Sequence, residues 1–220
     1  MDSEPPDRNV ILDQILAERR SHRKFTPEVP PGDSIRRIVH AGLLAPYAAA
    51  AVGGGEEYFR RFFVIEAGSR SMKAASRLLM ERVRTMAEDL RGQMENNPAL
   101  RLRAGSFSRR LSMILEQGAV PGVGNAPYYL VVAEKRGFPP VELQSLAHCL
   151  ENMWLKATAL GLGFQLVSVT SQMSDDPEFC GILGIPAGEW ELAGCAAGFP
   201  QERLSPAIRP PVEDVTTWLE

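Results

Sequence analysis

Ile11, Leu12, Ile15 and Leu16 recur at helical spacing, so a first helix is expected to run into the polar stretch ERRSHRKF at 18–25. Residues 1–10, ahead of this pattern, read as a disordered lead. TPEVPPGD then interrupts it, because its prolines cannot continue a helix. Asp33 is the expected N-cap of a second helix, with Ile35, Ile38, Val39, Gly42 and Leu43 on one face and a stop at Pro46. YAAAAVGGG reads as a loop of small residues, and RFFVIEA as a strand.

Segment 71–117 carries the pattern of two long charged helices broken near NNP, with Pro98 suited to the first turn of the second. GAVPGVGNAP is a loop, and YYLVVAE is an apolar run of aromatic and β-branched residues, hence a strand. Leu143, Leu146, Ala147, Leu150, Met153, Trp154 and Ala157 form one stripe along a further helix. It ends at LGLG, where Gly161 or Gly163 supplies a left-handed cap. FQLVSV and WELAGCAAGF read as strands on either side of a short helix in DPEFCGILGI. Residues 200–220 form a proline-rich, extended tail ending near Trp218 and Leu219. A few strands among longer helices imply a single α+β domain over 1–220, with a central mixed sheet of about four to five strands.

Composition changes this picture little. The chain has 220 residues, 45% of them hydrophobic and 23% charged, as in an ordinary globular domain. A net charge of −3 argues against a general nucleic-acid binder, which needs a broad positive field. MDSEPPDRNV lacks the basic and apolar regions of a signal peptide, and the longest uncharged run, 157–174, is too polar for a membrane span. Cys149, Cys180 and Cys195 are odd in number and widely spaced, which suggests reduced thiols and a cytoplasmic protein.

Candidate chemistry narrows quickly. GLGF and GVGNAP each contain GxG without the third glycine of a dinucleotide turn, so they read as turn and cap glycines. His22, His40 and His148 are scattered, and the His148/Glu151 pair lacks the matching carboxylates of a di-iron site, so no metal is expected. No GxSxG elbow or cysteine–histidine arrangement points to a hydrolase. The knot Arg19, Arg20, Ser21, His22, Arg23, Lys24 remains. Cations at a helix C-terminus complement the macrodipole, and the cluster reads equally as that or as a receptor for one small phosphorylated ligand.

The order of segments then becomes informative. RRSHRKF, AGLLAP, FFVIE, APYYLVVAE, HCLENMWLKATALGLGFQLVSV, LGIPAGEWELAGCAAGFP and IRPPVEDVTTW together resemble the FMN-dependent nitroreductase family over about 13–218. The resemblance implies a nitroreductase-like α+β fold, an interlocked homodimer with a flat mixed sheet, and one FMN per site. It implies that Arg19, Ser21 and Arg23, with Arg20 beside them, contact flavin phosphate and ribityl groups, joined by Arg209 of the C-terminal segment. Arg23 also becomes the candidate positive charge beside the flavin N1 edge. Ser168 and Val169 would meet the reactive N5 edge, and Asn152 matches an asparagine of the helix motif, with Glu151 where glutamine is usual. The alternative for that helix is core and dimer packing. Pro46 and Tyr47 would begin the segment facing the flavin ring. There APYAAAAVGGGEEYFRRF stands in place of the family's Ser-x-x-Asn-x-Gln-Pro-Trp stretch.

The activity implied is hydride transfer from NAD(P)H through flavin N5 to a nitroaromatic, quinone or similar small acceptor, with no protein acid or base required. Neither nucleic acid nor membrane is an expected partner. Two other readings stay open. A flavin carrier or sensor without turnover would follow from the altered loop, and an all-helical interaction protein would use 71–117 to bind a partner.

Overall fold

The computed structural model describes residues 7–47 and 58–219. Most of the expected lead and the alanine-glycine loop, 48–57, lie outside the described residues. Helix α1, Arg8–Glu18, begins inside the stretch read as lead; Asp7 caps it by accepting from the Asn9 amide. Helix α2 is Gly32–Leu43. Its N-cap is Pro31, and Asp33 instead lies in the first turn, 3.9 Å from Arg36, because helical geometry already starts at Gly32. Ile35, Ile38 and Gly42 are buried, whereas Leu43 is exposed.

Strand β1 is Arg60–Glu66, followed by the long helices α3, Arg70–Glu95, and α4, Pro98–Gln117. The break between them is local. Asn97 accepts from the Leu100 amide and Pro98 occupies the first turn, where its missing N–H costs nothing. Strand β2, Tyr128–Lys135, leads to α5, Glu142–Ala159, which carries the expected stripe apart from exposed Leu143 and Ala147. Gly161, at φ +70°, turns the chain into β3, Gly163–Leu166. A 3-10 turn at Ser168–Met173, helix α6, Pro177–Leu183, and strand β4, Trp190–Gly198, complete the body; a second 3-10 turn, Val212–Val215, lies in the tail.

The four strands run in the order β1-β2-β4-β3, and every neighbouring pair is antiparallel. The expected mixed sheet is thereby corrected. Two helices return the chain between β1 and β2, which reverses direction. The single helix α5 between β2 and β3 preserves it, but β4 fills the slot between those two strands. The parallel pairing seen among the described residues is one isolated bridge, Ser21 to Phe164. A sheet at the centre also rules out the all-helical reading.

Alternation along β2 divides the core. Tyr129, Val131 and Ala133 pack with Met72, Leu79, Val83, Leu111 and Phe179 on one face. Tyr128, Leu130 and Val132 pack with Ile38, Leu146, Met153 and Trp154 on the other. Both faces are covered, giving three layers with the sheet in the middle.

One buried charge pair joins them. Arg60 and Glu134 face each other across β1 and β2, with Nε 2.6 Å from Oε1 and neither side chain exposed. Arg60 also donates to the carbonyls of Gly42 at 2.8 Å, Ala45 at 3.4 Å and Pro46 at 3.5 Å, and to Ser145 Oγ at 3.0 Å. Arg60→Met should destabilise the fold by about 3–5 kcal/mol, because Glu134 is left buried without its partner. Arg60→Met combined with Glu134→Leu should recover part of that loss, because the buried carboxylate is gone while Gly42, Ala45, Pro46 and Ser145 still lack the guanidinium. Urea denaturation of both variants tests this, and equal losses would show that the pair itself is not what matters.

Candidate functional site

The basic stretch leaves α1 and is held against α5 and β3. The Arg19 Nε lies 3.2 Å from Glu151 Oε1, and its guanidinium sits 4.4 Å above the Trp154 ring. Trp154 Nε1 donates to the Arg20 carbonyl at 3.2 Å. Ser21 bridges to Phe164, and the His22 amide donates to the Phe164 carbonyl at 3.0 Å. Arg20 reaches the tail, donating to the Ser205 carbonyl. Arg23 is exposed and points its charge to no acid among the described residues. Arg19, which the resemblance assigns to phosphate, is thus already paired, and its partner is the glutamate standing where glutamine is usual.

Beyond Phe164, the chain turns sharply. The expected strand FQLVSV is paired only to Leu166; the Val167 amide still donates to Gly194 at 2.8 Å, and Ser168 opens the 3-10 turn. Thr170 fixes that turn to the sheet. Its hydroxyl lies 2.7 Å from the Tyr129 hydroxyl, and a Cβ on Gly194 would overlap its side chain, so only glycine allows so close an approach. The Ser168 and Val169 amides head the turn and donate to no carbonyl among the described residues.

These two residues border a cavity of about 260 Å³, walled on the other side by Phe107, Arg110, Leu111 and Ile114 of α4. Gln165 lines it too; its Nε2 donates to the Pro121 carbonyl at 3.0 Å, and its buried Oε1 has no partner among the described residues. An adjoining cavity of about 460 Å³ is lined by Arg23, Lys24, Arg110, Gln117 and Asn125. The two share Arg110, Ile114 and Pro121. Arg110 was not singled out from sequence as ligand-facing. Arg110 sits on a helix with many arginines, and only the fold shows which of them faces the cavity.

The remaining candidates lie elsewhere. Pro46 and Tyr47 border a separate cavity of about 310 Å³ with Gln144, Ser145 and His148, at the start of α5. Tyr47 stacks on Phe59, ring centroids 3.3 Å apart, so the two described ends of the loop meet. The arginine cluster meets the middle of α5, at Glu151 and Trp154, about 10 Å further along the helix axis. Asn152 Nδ2 donates to the Ala41 carbonyl at 3.3 Å, which ties α5 to α2 and fits the packing alternative. Arg209 is exposed in the tail and makes no contact with the cluster among the described residues. The three cysteines are free and buried, and burial pushes the Cys149 thiol up to about 12.

A three-layer α+β body with a cation-bordered cavity beside its central sheet defines the class of protein. A family model described as the nitroreductase family matches residues 16–199, and the chain belongs to that family. None of the curated proteins compared matches the chain significantly. Among solved structures, a nitroreductase with bound FMN from Desulfitobacterium hafniense is 20% identical, with TM-score 0.64, covering 95% of this chain and 98% of its own. A BluB-like flavoprotein from Clostridium difficile is 21% identical at TM-score 0.64, covering 95% and 99%. An iodotyrosine deiodinase bound to FMN and 3-iodo-L-tyrosine is 20% identical at TM-score 0.64, covering 91% and 96%. These likenesses are of fold.

Burial, and the Arg20 charge next, hold the His22 imidazole below its ordinary value of 6.5, while Glu202 partly opposes them. The unfolded chain therefore takes up this proton at higher pH than the fold does. The stability involved is fully present above 6.5 and is lost as pH falls through the lower, folded value. Melting temperature should drop more steeply between about pH 7 and about pH 5.5 in the native chain than in His22→Gln. Parallel slopes for the two proteins would remove His22 as the cause.

Proposed function

We propose that this protein is an FMN-dependent oxidoreductase acting as a homodimer, reducing a nitroaromatic, quinone or similar small acceptor with NAD(P)H. The observation that carries the proposal is the Ser21–Phe164 bridge. It sets the basic segment on β3, one residue before the strand begins to line the cavity at Gln165.

The residues present fit the cofactor. A flavin mononucleotide needs cations for its phosphate, an apolar wall for its ring and donors for the polar ring edge. Arg23 supplies charge, with Lys24 beside it although shared with Glu202 at 3.6 Å; Leu111, Ile114, Val120 and Val167 supply the wall, and the undonated Ser168 and Val169 amides supply donors. When bound, FMN supplies the two-electron redox centre that takes a hydride from NAD(P)H and delivers it to the acceptor. The chain's own part is to bind and orient. Arg23 holds positive charge for the phosphate, the two amides fix the polar ring edge, and the apolar wall excludes water.

Arg20 keeps the tail that carries Arg209 against the cluster through Ser205. Arg19 acts through Glu151 and Trp154, stiffening the segment from which Arg23 projects.

A second copy accounts for two further features. Pro46 and Tyr47, expected at the ring, border a cavity that shares no lining residue with the one at Ser168 and Val169, so one chain holds the two groups apart. Helix α1 buries none of its own residues, and its Val10, Ile11, Leu12 and Leu16 are exposed, as are Ile208, Trp218 and Leu219 of the tail. Apolar surface on that scale belongs under a partner. Light scattering on the eluting protein should give twice the 24.2 kDa chain mass, and a monomer at working concentration would overturn the dimer.

The test of the cofactor is the visible spectrum of the purified protein, with added FMN if it emerges colourless. Flavin absorbance is expected, and Arg23→Ala should weaken FMN binding by about tenfold, one charge-assisted contact at a partly solvated site. Failure to bind FMN would sink the reading. A yellow protein that never oxidises NAD(P)H with nitroaromatic or quinone acceptors would be a flavin carrier or sensor instead.

A further inference from the structure

The two adjoining cavities meet at Arg110, which lines both. No aspartate or glutamate lines either of them, although the chain as a whole carries a net charge of −3. Other arginines of the helical layer are matched: Arg77 by Glu81 and Glu178, and Arg101 by the Met94 carbonyl. Arg110 has no hydrogen bond or ion pair among the described residues. Its neighbours along the wall are Phe107, Leu111 and Ile114, apolar surface that lowers the local dielectric and strengthens attraction for an anion.

A second observation points to a ligand in the same cavity. Gln165 is 5% exposed, and its Oε1 acceptor lacks a donor. A buried amide oxygen is costly to leave unmatched, so the cavity wall offers one unused acceptor as well as one unused cation.

We propose that Arg110 is the specificity-determining residue of this cavity, selecting a flat aromatic ligand that carries a carboxylate or comparable oxyanion. Guanidinium and carboxylate match in planar, two-point geometry, while Phe107, one turn before Arg110 on α4, meets the ring. Gln165 then accepts from a donor on the same ligand. The inference rests on the proposed function only for the further statement that this ligand is the electron acceptor. Phosphate on a nicotinamide nucleotide shares the anion chemistry and has to be separated from it.

The test is calorimetric titration of the purified protein with 4-nitrobenzoate and with its uncharged isostere 4-nitrobenzamide. The native chain should favour the benzoate by about tenfold, Arg110→Gln should bind the two alike, and Arg110→Lys should keep part of the preference. Arg110 is exposed and unpartnered, so the variants should fold, which thermal melting verifies. Equal affinities in the native chain, or a preference unchanged in Arg110→Gln, would overturn the proposal. So would a loss confined to NADPH over NADH, which would give Arg110 to the nucleotide phosphate. FMN titration of the same samples keeps the two ideas apart: benzoate selection through Arg110 in a protein that takes no flavin supports this proposal and removes the reductase.

Discussion

The Arg60–Glu134 pair is the constraint on which the rest of the molecule depends. Two opposite charges sit with no exposure between β1 and β2, and such a pair offsets its desolvation only if its remaining donors are used. They are used on the end of α2. The guanidinium serves the Gly42 carbonyl in the last turn of α2 and the Ala45 and Pro46 carbonyls just beyond it. Ser145 on α5 takes a further N–H. One side chain thus fixes a strand pair, a helix exit and a helix start relative to one another. The chain entering the loop after Pro46 therefore leaves from a defined point. The Tyr47–Phe59 stack holds the return at the same place.

Helix α5 then acts as the ruler of the molecule. Its first turns carry the Pro46–Tyr47 cavity, and its middle carries Glu151 and Trp154, against which Arg19 and Arg20 are set. A rigid helix buried along one stripe fixes the spacing between these two groups at about 10 Å along its axis.

Much of this was readable from the sequence, because local signals and tertiary needs agreed. The α3–α4 break follows from Asn97 and Pro98 alone, and the α5 stripe from spacing alone. Where they disagreed, the sequence misled. FQLVSV has the composition of a strand, yet pairing ends at Leu166 because Thr170 must reach Tyr129 across Gly194. Asp33 has the chemistry of a cap, but Pro31 has the geometry. Arg60 and Glu134 could not be found at all. Charges at the ends of apolar runs usually mark where a strand meets water, and only the register of β1 on β2 makes these two face each other.

The basic stretch shows the same limit in its function. As sequence, its four arginine and lysine side chains beside a serine look equivalent, yet packing gives each a different duty. Arg19 is spent on Glu151 and Trp154, Arg20 on the tail and Lys24 partly on Glu202 at 3.6 Å, and Arg23 remains to face a cavity. Had glutamine stood at 151, Arg19 would have had a neutral neighbour and its charge would have been available to an anion. The carboxylate instead cancels that charge where the segment leaves α1, and Glu202 partly offsets Lys24, so the positive field of the segment centres on Arg23. Arg110 enters the same field from α4. The cationic character of this site is therefore made by two elements far apart in sequence, and a run of arginines in either one would not have shown it.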